Sequence, residues 1–149
     1  MKIALYQPDI VGNVGTIIRT CACLDFCLDI IEPCGFPFDE ARIRRSAMDY
    51  YDYVKINRFS SFEEFKDYNK NFRIVLLTTK SSIKYYDFKF QENDILLAGR
   101  ESAGVPDEIH QSVDARIVIP MKNNMRCLNV AVSLSAVVGW ALGSLQKSF

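Results

Sequence analysis

Six short runs of this sequence are apolar at successive positions rather than at alternate ones: Ile3–Tyr6, Leu28–Ile31, Val54–Ile56, Arg73–Thr79, Asp94–Ala98 and Ala115–Ile119. A strand with one solvated face alternates polar and apolar residues, whereas a strand covered on both faces reads as a near-continuous apolar run. This pattern predicts a mostly parallel sheet buried between two layers of helices. Helical periodicity fills the intervals, at about Asn13–Asp25, Glu40–Ala47, Phe62–Tyr68, Pro106–Gln111 and Leu128–Leu145. Ser61-Phe62-Glu63-Glu64 has the form of a capping box, and Pro106-Asp107-Glu108 suits a first helical turn with acids near its positive end. Strand and helix alternating in this way indicate an α/β fold with helices on both faces of the sheet.

The remaining bulk properties narrow the class. At 149 residues, with no Pro/Gly/Ser-rich linker and no internal repeat, the chain is expected to form a single domain, 1–149. No apolar run reaches the roughly 18 residues of a bilayer span, and Met1-Lys2 leads straight into a strand, so a cytoplasmic protein with no membrane partner is expected. The five cysteines are an odd number without repeated C-x-x-C pairs. This favours a reducing compartment, buried small hydrophobes at Cys21, Cys23, Cys27 and Cys34, and no metal site. Formal net charge is zero, which by itself argues against a nucleic-acid partner. The charge is nevertheless segregated. Residues 41–80 hold nine basic and five acidic side chains, and residues 115–149 hold Arg116, Lys122, Arg126 and Lys147 with no acid. Brought together, these two stretches would form a local positive face on a neutral chain.

Three segments carry candidate chemistry. Asn13-Val14-Gly15-Thr16-Ile17-Ile18-Arg19 follows the first strand. At about 100° per residue, Val14, Ile17, Ile18 and Cys21 make one apolar face, while Gly15 and Arg19 lie on the other with room for a phosphate or ribose beside them. A solvated helix arginine with a capping asparagine accounts for this segment equally well. Gly99-Arg100-Glu101-Ser102-Ala103-Gly104-Val105-Pro106 lies at the carboxyl end of a strand, where open α/β sheets bind ligands. Ile119-Pro120-Met121 opens a polar loop that runs through Arg126-Cys127-Leu128-Asn129 into a helix rich in small residues. None of the three is a dinucleotide fingerprint or a P-loop.

Taken in order, N-x-G-x-x-x-R, G-x-E-x-x-G-x-P, and I-P-M followed by R-x-L-N-V-A resemble the three motifs of the SPOUT class of RNA 2′-O-methyltransferases. The stretches IALYQPDIVGNVGTIIRTCA, IIEPCGFPFDEARIRRSAMDY and LLTTK are similar to the TrmL-like subfamily that methylates the tRNA wobble ribose. The resemblance implies an α/β domain with a C-terminal deep trefoil knot, a rare exception to the rule against knotted chains. It also implies homodimers, S-adenosyl-L-methionine bound in the knot, and an anticodon stem-loop of tRNA as partner. Carried over by position, the cofactor site is Leu77, Thr78, Gly99, Glu101, Gly104, Ile119, Cys127 and Leu128. The catalytic set is Arg19, Asn13 and Asn129. Cys127 and Ala131 stand where relatives often have Ser. Methylation of another tRNA or rRNA nucleotide, and a non-catalytic RNA-binding homologue, remain the alternatives.

Arg42, Arg44 and Arg45, followed by Tyr50, Tyr51 and Tyr53, suit an unpaired RNA loop, with Arg126 as a further contact; a solvated face is the competing reading. His110 follows an acidic turn and reads as a solvated surface residue. Trp140, on the small-residue helix, reads as a packing residue at a dimer seam.

Overall fold

The computed structural model describes residues 1–145. Six strands, β1 (Lys2–Tyr6), β2 (Cys27–Ile31), β3 (Ile56–Phe59), β4 (Arg73–Leu77), β5 (Asp94–Ala98) and β6 (Ala115–Ile117), form one sheet in the order β3-β2-β1-β5-β4-β6. Every pairing is parallel. Four helices lie between strands, α1 (Val11–Leu24), α2 (Glu40–Ala47), α3 (Phe62–Tyr68) and α4 (Asp107–Ser112), and α5 (Val130–Ser144) follows β6. Within each apolar run, successive side chains enter opposite layers. Ile3 and Leu5 join Ile17, Ile43 and Val137 of α1, α2 and α5, whereas Ala4 and Tyr6 join Phe65 and Ile109 of α3 and α4. The predicted two-sided burial is therefore observed, and it explains why alternation is missing from the sequence.

Several boundaries differ from the sequence reading. The third strand begins at Ile56 and not Val54, because Met48–Tyr53 forms a 3-10 turn that Val54 closes by donating to the Tyr51 carbonyl at 3.4 Å. A second 3-10 turn, Tyr85–Asp87, interrupts the segment between β4 and β5. α1 starts two residues early, at Val11, with Ile10 as an N-cap that lacks a side-chain bond, so Asn13 lies inside the helix and does not cap it. Ser61 Oγ accepts from Glu64 N–H at 3.1 Å as a capping box requires. The Glu64 carboxylate, however, returns to Ser60, accepting from its N–H and its hydroxyl at 2.7 Å each. Pro106 is the N-cap of α4 and not its first residue.

Two buried carboxylates anchor the lower part of the sheet. Asp94, at the start of β5, takes a two-pronged bond from Arg73 at the start of β4, with distances of 2.6 and 2.8 Å. Asp29 in β2 accepts from Asn57 at 2.7 Å and from Asn69 at 3.1 Å. A buried carboxyl group is tolerated only when its oxygens are hydrogen-bonded in this way.

The open space expected beside Gly15 is filled. A Cβ there would stand 2.6 Å from the carbonyl carbon of Ser46 and would overlap its side chain, because the end of α2 is pressed onto α1. Gly15→Ala is therefore expected to cost about 1–3 kcal/mol of stability in urea unfolding, as overpacking does. Gly12→Ala, with nothing within 4 Å of the added carbon, is expected to be neutral or mildly stabilising. Equal effects of the two substitutions would contradict the packing described.

Candidate active site

The order of the sheet reverses between β1 and β5: β2 and β3 lie to one side, β4 and β6 to the other. The loops leaving the carboxyl ends of β1 and β5 meet at this switch point, where α/β sheets hold ligands. The β5 loop is built on two glycines. Arg100 and Gly104 exchange backbone hydrogen bonds of 2.9 Å in both directions, with Gly104 at φ +66°. The fold brings Gly104 so near Gly99 that a Cβ on Gly99 would lie 2.6 Å from its carbonyl carbon. The approach requires that Gly99 carry no side chain, whereas Gly104 is favoured by its positive φ.

Asp9, in the β1 loop, fastens the β5 loop from outside. Its carboxylate accepts from Ser102 Oγ at 2.6 Å, from Ser102 N–H at 3.0 Å and from Arg100 at 2.9 Å. The Ser102 hydroxyl bond is the largest cause holding the Asp9 pKa below its ordinary value; burial opposes it, and the Ser102 backbone and Arg100 add smaller lowering effects. A carboxyl depressed in the folded state stabilises fully above the unfolded pKa, near 3.8, and loses that contribution as pH falls through the lower folded value.

Glu101 reaches back in the other direction. One oxygen accepts from Asp9 N–H at 2.7 Å and the other from the Asn13 amide at 3.0 Å. Asn13 is 8% exposed, and its carbonyl accepts from the Asn129 amide at 2.8 Å. Asn129 Oδ1 in turn caps α5, accepting from Ala131 N–H at 2.9 Å and Val132 N–H at 3.3 Å. One hydrogen-bonded chain thus joins segments around residues 13, 101 and 129. Every link matches a donor to an acceptor, so each amide has a single workable orientation.

Beside this chain lies a cavity of about 260 Å³. Its wall contains all eight residues expected to hold a cofactor: Leu77 and Thr78 after β4, Gly99, Glu101 and Gly104 after β5, and Ile119, Cys127 and Leu128 before α5. Thr79, Lys80, Val105, Met121, Val130 and Ser133 also line it and were not singled out from the sequence. His110 belongs to the wall as well, with Nε2 buried and unpartnered among the described residues, and is not the solvated residue expected. The physical reason is that α4 is drawn onto the β6 end, where Arg116 donates to the His110 carbonyl at 2.6 Å. The wall is fitted to S-adenosylmethionine by chemistry: glycine backbone at 99 and 104 allows close approach, and aliphatic side chains flank a few polar groups.

Asn13, Arg19 and Asn129 stand outside the cavity wall. Arg19 is exposed on α1, opposite the buried face of Val14, Ile17, Ile18 and Cys21, and its guanidinium carbon lies 5.5 Å from the Tyr50 ring centre. On α2, Arg42, Arg44 and Arg45 are all exposed. Arg44 is already engaged, bonded to Glu40 at 2.8 Å and Asp52 at 2.9 Å and stacked 4.3 Å from the Tyr51 ring centre. Arg42 and Arg45 make no ion pair among the described residues. Arg126 is exposed in the loop before α5, while Lys147 lies outside the described residues. Trp140 is 47% exposed and edge-on to Tyr85 and Tyr86.

Burial pushes the Cys21 thiol up to about 12 and the Cys34 thiol up to about 11. Cys27 is half-buried, whereas Cys23 faces solvent and is not the core residue expected, because it lies on the α1 face away from the sheet. Among the described residues no group of His, Cys, Asp and Glu is arranged to hold a metal ion. Among the described residues no helix is long and apolar enough to cross a membrane.

Comparison with known proteins places this geometry in a lineage. The SpoU rRNA Methylase family matches residues 1–139. A tRNA (cytidine(34)-2′-O)-methyltransferase of Beijerinckia indica is 52% identical, the match covering 97% of this chain and 94% of the relative. The protein of the same name from Escherichia coli K12 is 36% identical over 93% of this chain and 89% of its own. A structure solved for insight into the 2-OH methylation of C/U34 on tRNA superposes with a TM-score of 0.91 at 32% identity, covering 97% of this chain and 95% of that one. An AdoMet-bound rRNA methyltransferase from Sinorhizobium meliloti superposes with a TM-score of 0.87 at 25% identity, covering 98% of this chain and 57% of that one.

The hydrogen-bonded chain has a measurable signature. Glu101→Gln turns one acceptor into a donor facing either Asp9 N–H or the Asn13 amide, and is expected to cost about 1–3 kcal/mol in denaturant unfolding. Combined with Asn13→Ala, the loss should fall short of the sum of the single effects, since both act on one bond. Strict additivity would show that the two groups do not communicate.

Proposed function

The chain belongs to the SpoU rRNA Methylase family, and on that premise we propose that it methylates the ribose 2′-hydroxyl of the wobble nucleotide of tRNA, cytidine or a modified uridine at position 34, using S-adenosylmethionine. The observation that carries this reading is the chain Glu101–Asn13–Asn129. It ties the cavity wall to the start of the helix that bears Arg19. Relatives up to 52% identical that bear the wobble-cytidine name support the choice of substrate.

In this reading Leu77, Thr78, Gly99, Gly104, Ile119, Cys127 and Leu128 hold the cofactor, largely through backbone and apolar contact. When bound, the cofactor supplies a sulfonium methyl already activated for transfer. Glu101 shapes the wall while its carboxylate oxygens are committed to Asp9 N–H and Asn13. Asn13 and Asn129, both ends of whose amides are engaged, act as positioning residues and not as proton carriers. Arg19 contacts the RNA. A guanidinium stays protonated in proteins and is a poor base. It therefore hydrogen-bonds the target phosphate and orients the 2′-hydroxyl, and that phosphate assists loss of the proton.

The finer architecture belongs to the same proposal. The domain, 1–149, carries a deep trefoil knot: the segment after β6 threads the loop that follows β4. Pairing of Ile83 and Tyr85 with Val118 across that loop, and the return of α5 onto α1, support this path. Two copies associate through the face of α5 that exposes Val132 and Trp140. Arg42, Arg45 and Arg126 face the anticodon stem-loop, and Arg44 chiefly braces α2 against the 3-10 turn that follows it. The working compartment is the cytoplasm.

Calorimetry with S-adenosylmethionine is the first test; absence of binding, alone or with tRNA, would refute the assignment. Bound cofactor should protect the exposed Cys127 thiol from alkylation and leave the exposed Cys23 unprotected, read by mass spectrometry of labelled peptides. Arg19→Ala should retain cofactor binding while methylation falls by about 10²-fold or more, the scale set by loss of orientation. Mapping ribose methylation in tRNA from cells lacking this protein should show the wobble nucleotide unmodified. A change confined to ribosomal RNA or to another tRNA nucleotide would redirect the substrate.

A further inference from the structure

α1 and α2 run side by side with two matched contacts, one turn apart. At the first, Gly15 lacks the Cβ that would strike Ser46, and Ser46 Oγ donates to the Val11 carbonyl at 3.4 Å. Four residues further along each segment, Arg19 meets Tyr50, with the guanidinium carbon 5.5 Å from the ring centre, inside the range of a cation–π contact. Between Ser46 and Tyr50 the backbone is held in an unusual way. Met48, which ends α2, adopts φ +58°, a region that residues other than glycine enter only when surrounding structure imposes it. The reversal at Met48 opens the 3-10 turn Met48–Tyr53, in which Tyr51 packs against the core and beneath Arg44 while Tyr50 is left beside Arg19. The neighbouring tyrosine Tyr53 is 80% exposed and makes no cation–π contact with an arginine among the described residues.

Arg19 needs such a neighbour. Its long side chain stands on a solvated helix face without a carboxylate partner among the described residues, so its rotamers are free and must be ordered when it engages a phosphate. A carboxylate partner would order the side chain but would also neutralise it and occupy its donors. An aromatic face restrains the guanidinium plane and leaves every N–H available.

We propose that Tyr50 is a positioning residue for Arg19: its ring, set by the Gly15–Ser46 contact and the Met48 reversal, holds the guanidinium in the orientation used for methyl transfer. The inference rests on the assignment of Arg19 to the reaction. It explains why the surface of α1 at Gly15 is covered by α2 and not by ligand: the glycine, buried under Ser46, seats the segment that carries Tyr50.

Single-turnover methylation of tRNA at saturating S-adenosylmethionine tests it. Tyr50→Ala should lower the rate constant by roughly ten-fold, with the KM for tRNA and the affinity for cofactor within about two-fold of wild type. Tyr50→Phe, which keeps the ring, should restore the rate. In the Arg19→Ala background, Tyr50→Ala should cause no further loss. The proposal is overturned by an equal fold-loss in both backgrounds. It is also overturned by a raised KM for tRNA at unchanged rate constant, which would make Tyr50 an RNA contact in its own right. An Arg19→Ala enzyme at wild-type rate would instead remove the underlying role of Arg19. A thermal melt of Tyr50→Ala that matches wild type ties any loss to the site, whereas a lowered melt with the rate unrecovered in Tyr50→Phe counts against the proposal.

Discussion

The carboxylate of Glu101 is the constraint on which the site depends. It stands at a loop that two glycines compress, and each of its oxygens accepts one hydrogen bond from a different part of the first connection, Asp9 N–H and the Asn13 amide. Through Asn13 the same carboxylate reaches Asn129 and the cap of α5. Three segments distant in the chain are thereby made to share one geometry. A group that accepts from a backbone N–H and a side-chain amide at once cannot shift without leaving a part-buried donor unpaired, at a cost of roughly 1–3 kcal/mol each. Rigidity of this kind is what a transfer reaction requires, because orientation is lost with displacements of about 1 Å.

Asp9 complements this from the opposite side. Its three accepted bonds clamp Ser102 and Arg100, while its own backbone N–H is held by Glu101. The β1 and β5 loops are thus tied reciprocally, each supplying an acceptor to the other. The arrangement leaves the inner side of the β5 loop free to serve as cavity wall. It also accounts for the division of labour within the sheet. Arg73–Asp94 ties two strand starts away from the site, whereas Arg100–Asp9, at the carboxyl ends where the order reverses, belongs to the clamp on the site.

Much of this was legible in the chain before any coordinates. Continuous apolar runs identified parallel strands covered on both faces, and the eight residues assigned to the cofactor by resemblance to the SPOUT class do line a single cavity. What could not be read were features whose cause lies in another segment. Gly15 looked like room for a ligand because the sequence does not say that Ser46 will occupy the gap. Asn13 looked like a cap because its partner, Glu101, is 88 residues away. His110 looked solvated because nothing near it announces that Arg116 draws its helix onto the cavity. The late start of β3 follows from the 3-10 turn at Met48–Tyr53, whose tyrosines and aspartates carry no strong local signal.

Residue order alone thus determined the class of fold, the placement of the three loops at strand ends and the chemistry they could hold, since apolar period and glycine spacing are local properties that act over a few residues. The tertiary structure alone decided which polar groups meet. That Glu101 serves Asn13 and Asp9, that Arg44 is spent on Glu40 and Asp52 while Arg42 and Arg45 make no ion pair among the described residues, and that Tyr50 stands beside Arg19 all depend on close approach of segments distant in the chain. Hydrogen bonds and cation–π contacts act over a few ångströms, and only the packed sheet and helices bring those distances about.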